Sequence, residues 1–352
     1  MIELKIGDVA FGGKGVGRLD GKAIFIPFTI DGEKVRAKIV REKRNFAEAE
    51  LESVSEASTH RVEPSCPYFG RCGGCSYQHI SYDHQLEIKS RQVESALNRI
   101  AKLETISLQP IVPSPAEYGY RNRVTVHVED RVVGYYQRES RRLLDIERCP
   151  IAQPEVNAQL QELRASRPRD GHYTLRAADK PRVFTQTNDA VIDALVRVVA
   201  NAVSDHGDLL IDAYCGAGLF AKHLRHRFTR VIGIEWDRFA VDIARRDAGA
   251  QEDYICGNVD AELPTILHQS PSDTVLIVDP PATGLSENAR LAITEAPPEN
   301  FIYIACNPAT LARDIGALGG TFNVHSVTPL DMFPQTAEIE VVVHMQRRPA
   351  QT

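Results

Sequence analysis

Beyond about residue 181, apolar runs of strand length alternate with longer helical ones, and most of the apolar runs end on a residue able to do chemistry. In order they read VIDALVRVVANAV, LLIDAYCGAG, a helical stretch, RVIGIEWD, a second helical stretch, DYICGN, TVLIVDPP and FIYIACNP. Strands separated by helices pair in parallel, because the crossover connection needs the helix, and the helices then cover both faces of the sheet. Such sheets bind ligands at the carboxyl ends of their strands. Asp212, Glu235, Asn258, Asp279 and Cys306 all lie at or just past those ends.

The first part of the chain has a different grain. Short alternating strands broken by Gly12, Gly13, Gly15 and Gly17, then AIFIPF, an Asp31-Gly32 turn and KVRAKIV suit a small β-barrel. SCPYFGRCGGCSYQ is a Cys/Gly-rich loop, followed by a helical run from about Tyr82 to Lys102 with apolar Leu86, Val93, Leu97 and Ile100. From Tyr120 to Asp145 a second β-rich region is predicted, ending near Cys149 and Pro150. A chain of 352 residues is long enough for two or three domains. The expected division is a barrel over 1–56, a central domain over 57–180 and a catalytic domain over 181–352, with the helix at about 82–102 packing on the catalytic domain.

Charge and cysteine usage narrow the function. The net charge of −6 argues against a polyanionic partner, yet its distribution is uneven, since residues 151–352 carry 18 Lys+Arg against 26 Asp+Glu. Lys34, Arg36, Lys38, Arg41, Lys43 and Arg44 oppose only Glu42, and Arg121, Arg123, Arg138, Arg141 and Arg142 cluster further on. Either run fits a nucleic-acid contact or a solvated face. Seven cysteines, with no basic and apolar leader in MIELKIGDVA, argue against a disulfide framework and for metal binding or catalysis. No apolar run approaches the roughly 18 residues that cross a bilayer, so a cytoplasmic protein is expected.

Asp212-Ala-Tyr-Cys-Gly-Ala-Gly218 follows an apolar strand and opens a helix, so its glycines let the backbone approach a ligand closely. Gly216, Gly218 and Ala221 also satisfy a loose dinucleotide pattern, and Glu235 suits the hydroxyls of a ribose in either kind of cofactor. Asp279-Pro280-Pro281 tips the balance toward S-adenosylmethionine. A proline pair after a buried strand forces an abrupt exit and aims the carboxylate into the cleft. Asn258 is expected to meet the adenine end, or else to serve as a turn residue.

Cys306 follows another apolar strand, with Asn307 and Pro308 turning the chain. Seen singly it reads as a buried structural cysteine. Carbon 5 of uracil is a poor nucleophile, but a thiolate adding at carbon 6 makes an enolate that attacks a sulfonium methyl, after which the carbon 5 proton leaves and the thiol is expelled. That chemistry requires one cysteine, one general base and one group that steadies the ring. Glu340 in DMFPQTAEIEVVV is the candidate base and Glu338, on the same face, its rival; Asp279 is the candidate ring contact. Outside such a context an acidic residue in an edge strand faces solvent in most proteins.

Together these segments resemble the RNA uracil-5-methyltransferases that modify tRNA and 23S ribosomal RNA. The resemblance runs through Cys66-x5-Cys72-Gly-Gly-Cys75 with Cys149, Tyr120-Arg-Asn122, Phe184-Thr-Gln186-Thr-Asn188, Asp212-Ala-Tyr-Cys-Gly216, Asp279-Pro-Pro281, Cys306-Asn-Pro308 with Leu311-Ala-Arg-Asp314, and Met332-Phe-Pro-Gln-Thr336. It implies a Rossmann-like class I methyltransferase domain behind an OB-like TRAM barrel that binds RNA, with Cys306 as nucleophile and Glu340 as base. It also implies that Gln186, Tyr214, Gly216, Glu235 and Asp279 line the S-adenosylmethionine and uracil pocket. Spacing alone leaves zinc and iron–sulfur open for Cys66, Cys72, Cys75 and Cys149; the resemblance implies a [4Fe–4S] cluster. The barrel favours 23S rRNA over tRNA, and a monomer is expected. The chain departs from the family pattern at Ala282 (usually Arg), Leu219 (usually Asn) and Glu338 (usually His), which keeps a catalytically impaired RNA-binding homologue as the competing reading.

Overall fold

In the computed structural model, which describes residues 1–177, 183 and 185–349, the alternating pattern of the N-terminus closes into a barrel. Its strands are β1 (Ile2–Val9), β2 (Lys14–Leu19), β3 (Lys22–Pro27), β4 (Lys34–Glu42) and β5 (Phe46–Glu56), joined in the order β1-β2-β3-β5-β4. Inward positions Leu4, Ile6, Ile24, Ile26, Val35, Ala37, Ala47 and Ala49 fill the interior, while Lys34, Arg36 and Lys38 on β4 point outward, as period-2 alternation requires. The barrel is tight at β2, where a Cβ at Gly17 would lie 2.8 Å from the Lys5 carbonyl oxygen, too close for a larger residue without a backbone shift. Part of the basic run is already neutralised, Lys34 by Glu56 and Arg41 by Glu48.

The chain divides into two compact units. The first comprises Met1–Gln92, Ser114–Asp179 and Phe333–Glu338, and the second Val93–Pro113, Lys180–Met332 and Ile339–Thr352. The boundary expected at 180/181 lies outside the described residues. Besides the barrel, the first unit holds most of helix α1 (Tyr82–Ala96) and a four-stranded antiparallel sheet of β6 (Arg123–Glu129), β7 (Val132–Tyr136), β8 (Leu143–Asp145) and β9 (Gly171–Arg176), ordered β8-β7-β6-β9, with helix α2 (Pro154–Ala165) on one face. The β-rich region therefore runs past its expected end at Cys149, through α2 to β9. Gln335, with a left-handed backbone (φ 69), clasps this unit together. Its carbonyl accepts from the N–H groups of Ser76 (3.1 Å) and Tyr77 (3.0 Å), its side-chain oxygen accepts from Gln85 Nε2, and its backbone N–H donates to Gln85 Oε1.

The second unit is the doubly wound domain. It contains α3 (Asp189–Asn201), β10 (Gly207–Ala213), α4 (Leu219–Leu224), β11 (Phe228–Glu235), α5 (Arg238–Arg246), β12 (Glu252–Cys256), α6 (Val259–His268), β13 (Val275–Val278), α7 (Glu287–Glu295), β14 (Asn300–Ala305), α8 (Pro308–Leu318), β15 (Phe322–Leu330) and β16 (Glu340–Arg347). The seven strands lie in the order β12-β11-β10-β13-β14-β16-β15, parallel from β12 to β14 and antiparallel on either side of β16. The strand that carries Glu340 is thus an interior one, and Glu340 is 3% exposed, unlike an acid on an edge strand. The last turns of the helix begun at α1 close as a π turn over Leu97–Ala101, ended by Lys102 in the left-handed region. Val93, Leu97 and Ala101 join this domain's core. No helix among the described residues is long and apolar enough to cross a membrane.

One buried carboxylate ties several of these elements to each other. Asp314 on α8, fully buried, accepts from Leu285 N–H (2.8 Å), the Tyr303 hydroxyl (2.7 Å), Arg290 (2.9 Å) and Arg313 (2.9 Å). It anchors the loop after Asp279-Pro280-Pro281 to the start of α7 and to β14. Removing one side of a buried charge network leaves the other charges unmatched. Asp314→Ala is therefore expected to lower unfolding stability by roughly 3–5 kcal/mol, measured by urea denaturation; a loss well below that would show the arginines resolvating freely.

Candidate active site

Past β10 the backbone is held in a conformation few residues accept. Tyr214 sits at φ 63, and Gly216 and Gly218 follow at φ 54 and 85. Glycine adopts that region at no steric cost and tyrosine does not, so the loop stays bare of side chains at two positions and strained at one. Asp212 Oδ2 braces it by accepting from Ala221 N–H at 2.8 Å. Asp212 Oδ1 is buried and has no hydrogen-bond partner among the described residues. That orphaned oxygen, beside a glycine cradle, fits a bound polar or cationic ligand.

Glu235 closes β11, buried, with each carboxylate oxygen fixed by a backbone donor. Oε2 accepts from Gly216 N–H (3.0 Å) and Oε1 from Asp237 N–H (2.8 Å). Each oxygen keeps a further lone pair for a ligand hydroxyl, the arrangement a ribose needs. Trp236, the only tryptophan of the chain, follows directly and is 76% exposed, with Phe239 nearby in sequence at 74%. Sequence reasoning passed over both, and over the role of the Asp212 side chain; the signal for Trp236 was an aromatic directly after a strand-end carboxylate. Asn258 spends its oxygen capping α6, accepting from Asp260 N–H at 2.9 Å, which leaves its amide NH2 group for any other contact.

At the end of β13, Gln186 Nε2 donates to Asp279 Oδ2 at 3.4 Å; Phe184 of the same motif lies outside the described residues. Leu219, the first residue of α4, is half-buried, and Ala282 is exposed, with its carbonyl accepting from the Thr310 hydroxyl at 3.1 Å. Cys306 lies half-buried between β14 and α8, just before Asn307, whose side chain caps that helix. The antiparallel ladder of β14 and β16 ends on the pair Ala305 and Val341. Cys306 and Glu340 are the next residues along, so the two fall opposite each other at the carboxyl end of β14. Glu338 stands outside β16 and is exposed, in contrast to buried Glu340.

The four remaining site cysteines belong to the first unit. All are thiols outside any disulfide. Burial pushes Cys75 up to about 12, with Cys149, Cys72 and Cys66 adding to the rise, and burial raises Cys72 and Cys149 as well. The charge of Cys66 adds to the rise at all three. Backbone N–H groups are aimed at two of the sulfurs, Gly74 at Cys72 (3.4 Å) and Ala152 and Ile151 at Cys149. Among the described residues no three His, Cys, Asp or Glu side chains close on a single metal ion. Four soft sulfur donors, two of them with N–H groups directed at the sulfur, are a donor set of the kind that soft metals take.

Electrostatics give the cofactor end a pH signature. Burial, then the negative charges of Asp279 and Glu235, raise Asp212 to about 7 against the pull of Ala221 N–H; burial raises Asp279 as well. A carboxyl raised in the folded state keeps a proton that the unfolded chain has lost, so stability falls as pH rises between about 4 and 7. A bound cation favours the ionised form and reverses that cost. Sulfonium and ammonium groups such as those of S-adenosylmethionine are expected to bind more tightly at pH 8 than at pH 6, with proton release. Fluorescence of Trp236 and calorimetry in buffers of different ionisation heat read both; Asp212→Asn should flatten the profile.

Known proteins match this architecture from end to end. The tRNA (Uracil-5-)-methyltransferase family model matches residues 169–259 and 263–348, and the TRAM domain model residues 1–51. A tRNA (uracil(54)-C(5))-methyltransferase of Schizosaccharomyces pombe is 29% identical over 98% of this chain and 78% of its own. A Synechocystis protein described as an uncharacterized RNA methyltransferase is 28% identical over 97% of this chain and 95% of its own. The crystal structure of Pyrococcus abyssi tRNA (uracil-54, C5)-methyltransferase in complex with S-adenosyl-L-homocysteine superposes with a TM-score of 0.74, at 22% identity, over 98% of this chain and 100% of that one. With a closed N-terminal barrel, a class I α/β domain and these matches, the chain belongs to the tRNA (uracil-5-)-methyltransferase family of S-adenosylmethionine-dependent RNA methyltransferases.

Proposed function

We propose that the chain methylates carbon 5 of uracil in RNA through a covalent adduct on Cys306. The observation that carries this reading is the juxtaposition of Cys306 and Glu340 one step beyond the last ladder pair of β14 and β16. Cys306 also precedes the amino end of α8, whose partial positive charge favours a thiolate. The Cys306 sulfur adds to carbon 6, and the electron pair moves to carbon 5. Gln186, Tyr214, Gly216, Glu235, Asn258 and Asp279 would hold S-adenosylmethionine, which would supply an electrophilic methyl group to that carbon, the S–CH3 bond breaking to leave S-adenosylhomocysteine. Glu340 then takes the carbon 5 proton, the ring double bond re-forms, and the C–S bond breaks to restore Cys306. Asp279 steadies the polarised ring, accepting from its imide N–H, and Gln186 orients that carboxylate.

Cys66, Cys72, Cys75 and Cys149 would hold a [4Fe–4S] cluster, with a structural role, since methyl transfer moves no electron. The expected preference for 23S rRNA rested on the barrel. A structural neighbour titled as a tRNA methyltransferase matches 98% of this chain, barrel included, so tRNA is the substrate to test first. A cytoplasmic, monomeric enzyme is the accompanying reading.

Tritium release from 5-tritiated uridine in tRNA, with cluster-replete protein, tests the activity. Cys306→Ala should abolish release and any RNA adduct, and a variant that still methylates would overturn the mechanism. Glu340→Gln is expected to trap the adduct, visible as a slower band on denaturing gels. Cys75→Ser should lose iron and the brown cluster absorbance while retaining measurable S-adenosylmethionine binding. Mass-spectrometric mapping of 5-methyluridine in tRNA and 23S rRNA from cells with and without the gene separates the two substrates.

A further inference from the structure

The antiparallel sheet of the first unit has one face buried and one open. Val124, Val126 and Val128 of β6 and Leu175 of β9 pack inward with Val156 and Leu160 of α2. The opposite face of the same two strands carries three matched cross-strand pairs: His127 opposite His172, Thr125 opposite Thr174, and Arg123 opposite Arg176. Tyr136 of β7 extends the row, its ring 4.2 Å from that of His127, while the His172 ring stands edge-on to His127 at 4.7 Å. Tyr136 is 37% exposed. Three rings thus lie side by side at one end of an open sheet face, and two guanidinium groups face each other at the other, about 13 Å away at the usual strand rise.

The arginine pair sets two guanidinium groups directly opposite each other. Like charges directly opposite on a sheet repel, and Arg176 and Arg121 both hold Arg123 below its ordinary value, after burial. The Arg176 Nε is buried and makes no hydrogen bond among the described residues. Among the residues of β6, Glu129 at its far end also lies on this face. Exposed Arg141 and Arg142 follow in the hairpin after Tyr136. A polyanion with flat, unpaired bases matches both ends of the surface, its phosphate meeting the guanidinium groups and its base stacking on the rings.

We propose that the open face of β7, β6 and β9 is a landing platform for a single-stranded stretch of RNA, with an unpaired base on Tyr136, His127 and His172 and its phosphate on Arg123 and Arg176. The proposal rests on the reading of the chain as an RNA-modifying enzyme. It adds a second contact region, distinct from the residues assigned to methyl transfer, that holds RNA flanking the target.

The test uses the full chain and a fluorescein-labelled oligouridylate of about twelve nucleotides, followed by anisotropy over a salt series. Tyr136→Ala is expected to weaken binding about tenfold, Tyr136→Phe to bind as the parent does, and Arg176→Gln to lower the slope of log K against log salt by about 0.7. In methyl transfer to tRNA, Tyr136→Ala and Arg176→Gln should raise KM and leave kcat within about twofold, because neither touches the nucleophile or base. Tyr136→Ala and Arg176→Gln binding like the parent would overturn the platform, as would equal competition by a duplex of the same length. A parent protein that binds oligouridylate yet methylates neither tRNA nor 23S rRNA would sink the enzymatic reading and leave the platform standing.

Discussion

The antiparallel return of β16 between β14 and β15 is the constraint on which the candidate chemistry depends. A purely parallel sheet collects strand ends at one edge, and those ends come from residues that follow one another through crossovers. Inserting a strand that runs the other way delivers the start of β16 to the same edge where β14 ends. Residues 34 positions apart in the chain, Cys306 and Glu340, become neighbours through one register. Because a one-residue slip would turn every β16 side chain to the other face, and β16 is buried along Glu340 to Met345, the hydrophobic packing of Val341, Val342 and Val343 fixes where the acid stands.

Charge burial has a second job in this domain. Asp314 and Asp212 are both completely buried, yet they resolve that cost differently. Asp314 is saturated by two arginines, a hydroxyl and an N–H, and works as a fastener for the loop that follows the proline pair. Asp212 has one backbone donor and an oxygen left over. In a folded protein, a satisfied buried carboxylate speaks of architecture and an unsatisfied one of something still to be bound. The contrast between two aspartates of one domain separates scaffold from site without reference to any relative.

Much of this was legible beforehand. Apolar runs ending on Asp212, Glu235, Asp279 and Cys306 announced the parallel sheet, and the glycine-broken N-terminus announced the barrel. The stretch from Pro154 to Arg176 was missed, because α2 buries only Val156 and Leu160 and β9 only Leu175, too few apolar positions to mark a period. The pairing of Cys306 with Glu340 was guessed from a familiar order of motifs; no local pattern encodes a register between distant strands. The clasp at Gln335 was invisible for a similar reason. Its left-handed backbone and its partners Ser76, Tyr77 and Gln85 lie some 250 residues away in the chain.

That clasp bears on how the molecule is made. The unit that contains the barrel, the cysteines and the antiparallel sheet is discontinuous, and its last piece, Phe333–Glu338, is synthesised only after residues 180–332 of the other unit. At ordinary ribosomal speeds the interval is roughly 8 to 30 seconds. During it the N–H groups of Ser76 and Tyr77 and the amide of Gln85 await a partner still inside the ribosome. The cysteines at 66, 72, 75 and 149 have all emerged by then, in a segment that has its contacts to Tyr136 and Arg138 but lacks those to Gln335. Translation order thus leaves an interval in which that segment exists without its final clasp.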